Sequence, residues 1–276
     1  MKKLFLIIII TVSAWFWFKG SLKILPYFQV VFLDVGQGDS SLIITPKRKV
    51  ILIDGGPDQK VLKELGRVLP FWNRKIDLLV VTHPHDDHFV GLIEVLRRYQ
   101  VEKILIDQGV GSGKTWQTLV EVIKAEKKIT VLPKQGQEFD FGGACLLNIL
   151  SSHNKKREDE NDYSVITKFS CLGRNVLLAG DASQKVEQEL LNSEADLKAD
   201  IFKASHHGSQ TANSESFVAA ISPRLAVISV GLDNKFKHPN PHVLEIFKKM
   251  SVDIYQTATG GSKHFLANNN EIIIKN

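Results

Sequence analysis

Two cysteines in 276 residues are too few to build a disulfide scaffold. No Pro/Gly/Ser-rich stretch separates one part of the chain from another, and no short internal repeat suggests a solenoid. A Gly-x-Ser-x-Gly nucleophile elbow is absent as well, so serine-based acyl transfer has no obvious starting point. The first 23 residues contain no acid. With 43% hydrophobic and 24% charged residues, the composition excludes a disordered tail, a collagen-like fibre and a polytopic membrane protein. What remains is one large domain or two small ones.

The formal net charge of +5 suggests an acidic partner until its distribution is considered. Lys2, Lys3, Lys19 and Lys23 all lie in the acid-free opening, and removing these four from 35 basic residues leaves 31 against 30 acidic ones. The body is therefore near neutral. Between Lys3 and Lys19 run fifteen uncharged, mostly apolar residues, Leu4 to Phe18. As a helix the run would be roughly 22 Å long, short of a bilayer core of about 30 Å. A positive start followed by an apolar stretch is the layout of an export signal, with Val12-Ser13-Ala14 as a small-residue cleavage site. Trp15, Phe16, Trp17 and Phe18 suit an interfacial anchor instead. Residues 1–23 are thus expected to be a signal peptide or membrane anchor, giving a secreted or membrane-anchored protein in which everything from Tyr27 on lies outside the cytoplasm. Cys145 and Cys171 could pair there, or remain two buried thiols in separate apolar runs.

From residue 27 to 276, short apolar runs alternate with turn residues. Residues 28–35, 41–45 and 49–53 read as consecutive strands, a helix covers about 59–68, and 76–82 reads as a strand buried on both faces. Helices over 89–98 and 115–126 alternate with strands at 103–107 and 129–132. A second meander occupies 137–141, 144–150, 164–170 and 174–179. Helices near 183–191, 214–220 and 241–249 then alternate with strands near 199–204, 224–230, 252–256, 263–267 and 271–275. Antiparallel strands opening each half, with helices interspersed, predict one α/β domain of two sheets with helices outside.

The densest chemistry is His83-Pro84-His85-Asp86-Asp87-His88, directly after the buried strand. Strand ends are where polar groups can converge while the strands hold them in place. His83 and His85 are two apart and share one side of an extended segment, while Asp87 and His88 fall at the turn into a helix. Three imidazoles and a carboxylate so close suit a borderline cation such as zinc. Two further strands end alike, in Gly180-Asp181 and in Ser205-His206-His207-Gly208-Ser209. Together they have the composition of a two-metal hydrolytic centre, in which a shared carboxylate holds two cations together.

These motifs resemble the metallo-β-lactamase superfamily, whose H-x-H-x-D-H is matched by His83, His85, Asp87 and His88. The chain is most similar to the branch represented by the extracytoplasmic hydrolase domain of ComEC-type DNA-uptake proteins. Residues 32–40 (Phe-Leu-Asp-Val-Gly-Gln-Gly-Asp-Ser), 53–56 (Ile-Asp-Gly-Gly), 178–181 (Leu-Ala-Gly-Asp), 206–209 and 228–231 follow that branch in order and spacing. The resemblance implies the αββα metallo-β-lactamase sandwich and two divalent metal ions, Zn²⁺ or Mn²⁺. It assigns one ion to His83 and His85, the other to Asp87, His88 and His206, and the bridge to Asp181. Asp87 doubles as a catalytic group, His207 is a substrate contact or alternate ligand, and His238 faces the substrate from a C-terminal loop. Asp39 and Asp54 orient ligand imidazoles. Ser209 belongs to the same motif, and Lys237 stands where the branch has Gly, as a possible phosphate contact. A further histidine that many members supply is replaced by Asn161 and Ser164, leaving the first ion fewer protein ligands.

The leading expectation is an extracytoplasmic metal-dependent phosphodiesterase or nuclease with DNA as substrate and the membrane as a neighbour. The alternatives are the same centre acting on a wall or lipid phosphodiester, a lactone or a β-lactam, and a non-catalytic DNA-binding module. Gly109-Val110-Gly111-Ser112-Gly113-Lys114-Thr115 imitates a phosphate loop, but the pattern needs Gly at position 108, which is Gln. That segment reads as a loop at the rim of the site, with Lys114 able to touch an anion.

Overall fold

Along β1 (Phe28–Phe32), Phe28, Val30 and Phe32 pack into one apolar layer, whereas Val31 points into another. The same alternation recurs in β3 (Val50–Ile53) and β4 (Lys75–Val80). Because successive side chains leave a strand on opposite faces, strands that are apolar on both faces must be covered on both. The chain satisfies this with four layers. The structure, a computed structural model, describes residues 25–151 and 156–275. The proposed N-terminal signal or anchor lies outside the described residues.

One sheet of eight strands has the order β15-β14-β1-β2-β3-β4-β5-β6. It contains β2 (Ser41–Ile44), β5 (Gln100–Leu105), β6 (Ile129–Val131), β14 (Lys263–Ala267) and β15 (Ile272–Lys275) besides those already given. The second sheet has seven strands, in the order β13-β12-β11-β10-β9-β8-β7. These are β7 (Glu138–Asp140), β8 (Cys145–Ser151), β9 (Ile166–Cys171), β10 (Arg174–Leu178), β11 (Ile201–Lys203), β12 (Leu225–Ile228) and β13 (Asp253–Gln256). Each sheet is antiparallel in its meander and parallel where helices intervene, from β3 to β6 and from β10 to β13. The last two strands return to the first sheet, where β14 pairs with β1.

Helices α1 (Lys60–Val68), α2 (Asp86–Arg98) and α3 (Gly113–Ala125) cover the outer face of the first sheet through Leu65, Phe89, Leu92 and Trp116. Helices α4 (Gln184–Leu191), α5 (Glu215–Ile221) and α6 (Pro241–Lys249) cover the second through Val186, Phe217 and Phe247. Between the sheets lie Phe28, Ile51, Val80, Phe169, Val176 and Phe265. This is the αββα sandwich. No helix among the described residues is long and apolar enough to cross a membrane.

Two expectations are refined here. Helix α2 starts at Asp86, three residues before the periodic apolar run, so half of the histidine motif lies in its first turn. Cys145 and Cys171 face each other across β8 and β9 and are joined as a disulfide, so the two-thiol alternative does not hold.

Candidate metal centre

The loops after β1, β3, β4, β10, β11 and β12 all open at one edge of the sandwich. His83 is reached just beyond β4, where Asp54 receives the Thr82 backbone N–H at 2.9 Å and the Thr82 hydroxyl at 2.7 Å. His85 precedes α2, and Asp87 and His88 are held in its first turn, at the positive end of the helix dipole. The Gln37-Gly38-Asp39 turn presses against this turn: a Cβ on Gly38 would lie 2.2 Å from the Asp87 carbonyl oxygen, so only glycine fits. Asp39 then donates its backbone N–H to that carbonyl at 3.1 Å.

The Asp181 Oδ2 atom is the hub. It lies 3.3 Å from His88 Nε2, 3.5 Å from His207 Nε2, 3.8 Å from His206 Nε2 and 3.9 Å from His83 Nε2. Ligand atoms of His83, His85 and Asp181 converge within 4.8 Å, as do those of Asp87, His88 and His207. The second grouping differs from the expected one. After β11, His206 and His207 both adopt left-handed backbone (φ 48° and 53°), which turns their imidazoles apart. Asn213 holds the bend through the Ser205 backbone, accepting its N–H at 2.8 Å and donating to its carbonyl at 2.9 Å. His207 goes inward, its Nε2 3.2 Å from Asp87 Oδ2 and its Nδ1 2.8 Å from the Ser229 carbonyl. His206 stays at the rim, 26% exposed on its side chain, beside Thr211. The imidazole completing the Asp87–His88 group is therefore His207 and not His206.

The outer residues fall in place around this centre. Asp54 Oδ2 lies 2.8 Å from His88 Nδ1 and aims the other ring nitrogen at Asp181. Asp39 lies 3.3 Å from His207 Nδ1. Ser164 Oγ accepts the Asp181 backbone N–H at 2.9 Å and sits 3.4 Å from His83 Nδ1. Asn161, in the turn Glu160–Tyr163, has a buried side-chain oxygen without a hydrogen-bond partner among the described residues. Ser209 contacts the Thr211 hydroxyl at 3.0 Å, which in turn lies 3.4 Å from His206 Nδ1. His238 packs its ring 5.9 Å from that of His206, while Lys237 is exposed. The Gly109–Thr115 segment wraps Trp116, whose indole N–H donates to the Gln108 carbonyl at 3.2 Å.

Two participants escaped the sequence reading. Glu160 reaches His85 Nε2 at 3.3 Å. Lys203, the last residue of β11, shares the inter-sheet face with Ile201 and drives its ammonium into the centre. There it pairs with Asp39, donates to the Gly180 carbonyl at 3.2 Å and lies 3.8 Å from Asp181. A lysine closing an apolar strand was the available signal, since a buried ammonium must meet a carboxylate.

The protonation pattern follows from this crowding. Burial disfavours charge on His88 and His207, yet carboxylates outweigh it: Asp181 and Asp54 hold His88 well above the ordinary range, and Asp181 with Asp39 pushes His207 up to about 10. Burial, reinforced by the His88 charge, holds His83 well below its usual value. Asp181, despite burial, is held well below the carboxylate range by His88 and His207. The cluster therefore demands positive charge, which a divalent cation supplies equally well with the imidazoles neutral. Its fit to a metal is tested by orphaned atoms: His83 Nε2, His88 Nε2 and Asp181 Oδ1 are buried with no hydrogen-bond partner among the described residues. The two imidazole nitrogens face the Asp181 Oδ2 hub, and imidazole with carboxylate is a suitable donor set for Zn²⁺ or Mn²⁺.

Fold and centre together define a metallo-β-lactamase-fold protein, and residues 33–147 match the family model described as Metallo-beta-lactamase superfamily. More particularly, the chain is 27% identical over 252 residues to ComE operon protein 3 of Bacillus subtilis (strain 168), covering 85% of this chain and 32% of that protein. It is 29% identical over 241 residues to Recombination protein 2 of Haemophilus influenzae, covering 86% of this chain and 28% of the relative. The chain thus spans about a third of the length of these curated relatives. Among solved structures, the metallo-β-lactamase fold protein YhfI from Bacillus subtilis superimposes with a TM-score of 0.54 at 11% identity, over 85% of this chain and 98% of that one.

Proposed function

We propose that this protein is a metal-dependent phosphodiesterase whose substrate is DNA. The observation that carries the reading is the convergence of four imidazole nitrogens on one buried carboxylate oxygen, with two of those nitrogens lacking any hydrogen-bond partner among the described residues. His83, His85 and Asp181 would hold one cation, and Asp87, His88 and His207 the other. Divalent ions held there would supply Lewis acidity for hydrolysis.

The chain's own groups do the rest. Asp54 fixes the tautomer of His88, and the Ser229 carbonyl fixes that of His207, so both present Nε2 to the centre. His238, whose proton affinity is lowered by burial and by His206 and His207, stands at the rim as a neutral imidazole able to accept a proton. The exposed Lys235 and Lys237 lie on the same loop and favour an anionic substrate. The DNA assignment draws on these cations and on the relative named Recombination protein 2. The same reading puts the domain outside the cytoplasmic membrane, a proposal supported by Lys2, Lys3 and the apolar run Leu4 to Phe18.

The test is hydrolysis of a DNA oligonucleotide, bis-p-nitrophenyl phosphate and nitrocefin with added Mn²⁺ or Zn²⁺. Phosphodiester cleavage is expected, abolished by chelation and by Asp87→Ala or His85→Ala. Turnover of nitrocefin alone, or full activity in either variant, would overturn the assignment.

A further inference from the structure

The loop between β12 and α6 exposes an aromatic ring from a rigid frame. Phe236 is 53% exposed, yet the loop that carries it is tied down. The Asn234 side chain donates to the carbonyls of Gly231 (2.9 Å) and His238 (2.8 Å) and accepts the His238 N–H at 2.8 Å, joining both ends of the loop. The Gly231 N–H donates to Gln37 at 3.1 Å, and the Asn240 N–H donates to the Gly208 carbonyl at 2.9 Å. The loop is thereby fastened to the turn before Asp39 and to the turn after His207, on either side of the metal centre.

On this frame the Phe236 ring lies nearly parallel to His238, at 15° and 5.8 Å between centroids. His238 in turn is 5.9 Å from His206, which borders Asp181. Three rings therefore lead from the convergence point to solvent, the inner pair edge-to-face at 67° and the outer pair stacked. Lys235 places its ammonium 5.1 Å from the Phe236 centroid, and exposed Lys237 follows directly. An exposed ring held in fixed orientation, stacked on a second flat group and flanked by two cations, matches the demands of a strand that alternates bases and phosphates. A lipid tail would not use the flat stack, and an inorganic anion would not use the ring.

Resting on the phosphodiesterase reading above, we propose that Phe236 is a specificity-determining residue: it stacks an unpaired base beside the scissile phosphate while Lys235 and Lys237 hold neighbouring phosphates. A base arriving on the ring displaces the weakly held Lys235 ammonium and frees it for the backbone. Because the platform reads a π face and no base edge, it works for any base that has left its duplex.

The test compares a fluorescein-labelled single-stranded oligonucleotide with an abasic strand of equal length and charge. Binding to the full chain in mild detergent is followed by anisotropy, with Asp87→Ala present throughout to prevent cleavage. The base-bearing strand is expected to bind about tenfold more tightly than the abasic one. Phe236→Ala should close that gap by weakening the base-bearing strand alone, and Phe236→Trp should preserve it. A gap that survives Phe236→Ala, equal weakening of both strands by it, or equal binding of both strands before it would each overturn the stacking role. Binding of neither strand would instead overturn the nucleic-acid reading of the site, and the stacking role with it.

Discussion

Removing the ammonium of Lys203 exposes the electrostatics of the centre. The side chain is 2% exposed and serves the carboxylates of Asp39 and Asp181. Lys203→Met keeps the length and apolar stem but leaves both acids short of one positive charge. Loss of one partner of a buried pair costs roughly 3–5 kcal/mol. His88 and His207 remain near the same acids, which argues for the lower end, about 3 kcal/mol. At about 2–4 °C per kcal/mol for a large domain, the melting midpoint should fall by about 6–12 °C. The assay is thermal denaturation followed by circular dichroism, in EDTA and again with saturating Mn²⁺ or Zn²⁺. The deficit should be full in EDTA and at least halve with metal, because a divalent cation bound at Asp181 replaces the missing charge. A midpoint in EDTA within about 2 °C of the parent would refute the account of Lys203 as the buried counter-ion.

Further expectations follow from other positions. Asp54→Asn keeps the left-handed backbone at this residue (φ 58°), but its amide can donate to His88 Nδ1 and leave the proton on Nε2. Metal affinity measured by competition with a chelating dye should drop about 10–100-fold, and an unchanged affinity would count against that hydrogen bond as the orienting one. Gly91→Ala would put a Cβ 2.1 Å from the Gly55 carbonyl oxygen, pushing α2 off the loop after β3. A loss of about 1–3 kcal/mol in urea unfolding is expected, and a neutral variant would show the contact to be relaxed. Asp77 accepts from Lys49 Nζ at 2.7 Å and from the Val50 N–H at 2.9 Å, and these outweigh burial to lower its pKa. A depressed folded pKa contributes stability above the unfolded value of about 3.9 and loses it as pH falls through the folded one. Asp77→Asn should therefore cost about 1 kcal/mol at pH 7, Lys49 being partly solvated, and progressively less as pH falls below the unfolded value. A pH-independent difference would show that the charge is not what matters.

Much of the layering was legible because strand and helix periods differ. The strands read at 263–267 and 271–275, and the helix at 241–249, match the observed elements within one residue. Boundaries failed where chemistry interrupts the period. Asp86 and Asp87 look like loop residues, yet they begin α2 because acids are stabilised at a helix N-terminus. Residues that act through long-range partners were harder to find. Glu160 is one charge among several in a polar stretch until the chain brings it to His85, 75 positions away. The exposed ring of Phe236 carries no local signal, since its stack depends on the Asn234 clamp.

By itself, the sequence determined the class of chemistry and the strand ends that deliver it. His83, His85, Asp87 and His88 lie within six residues, and covalent spacing alone keeps such neighbours together. Tertiary structure decided which of two adjacent histidines enters the centre. His206 and His207 are chemically identical and one bond apart, so only two left-handed residues and the Asn213 clamp send His207 inward. It also decided that Lys203 belongs to the centre, because a strand buries alternate side chains between the sheets and a buried ammonium settles where carboxylates converge.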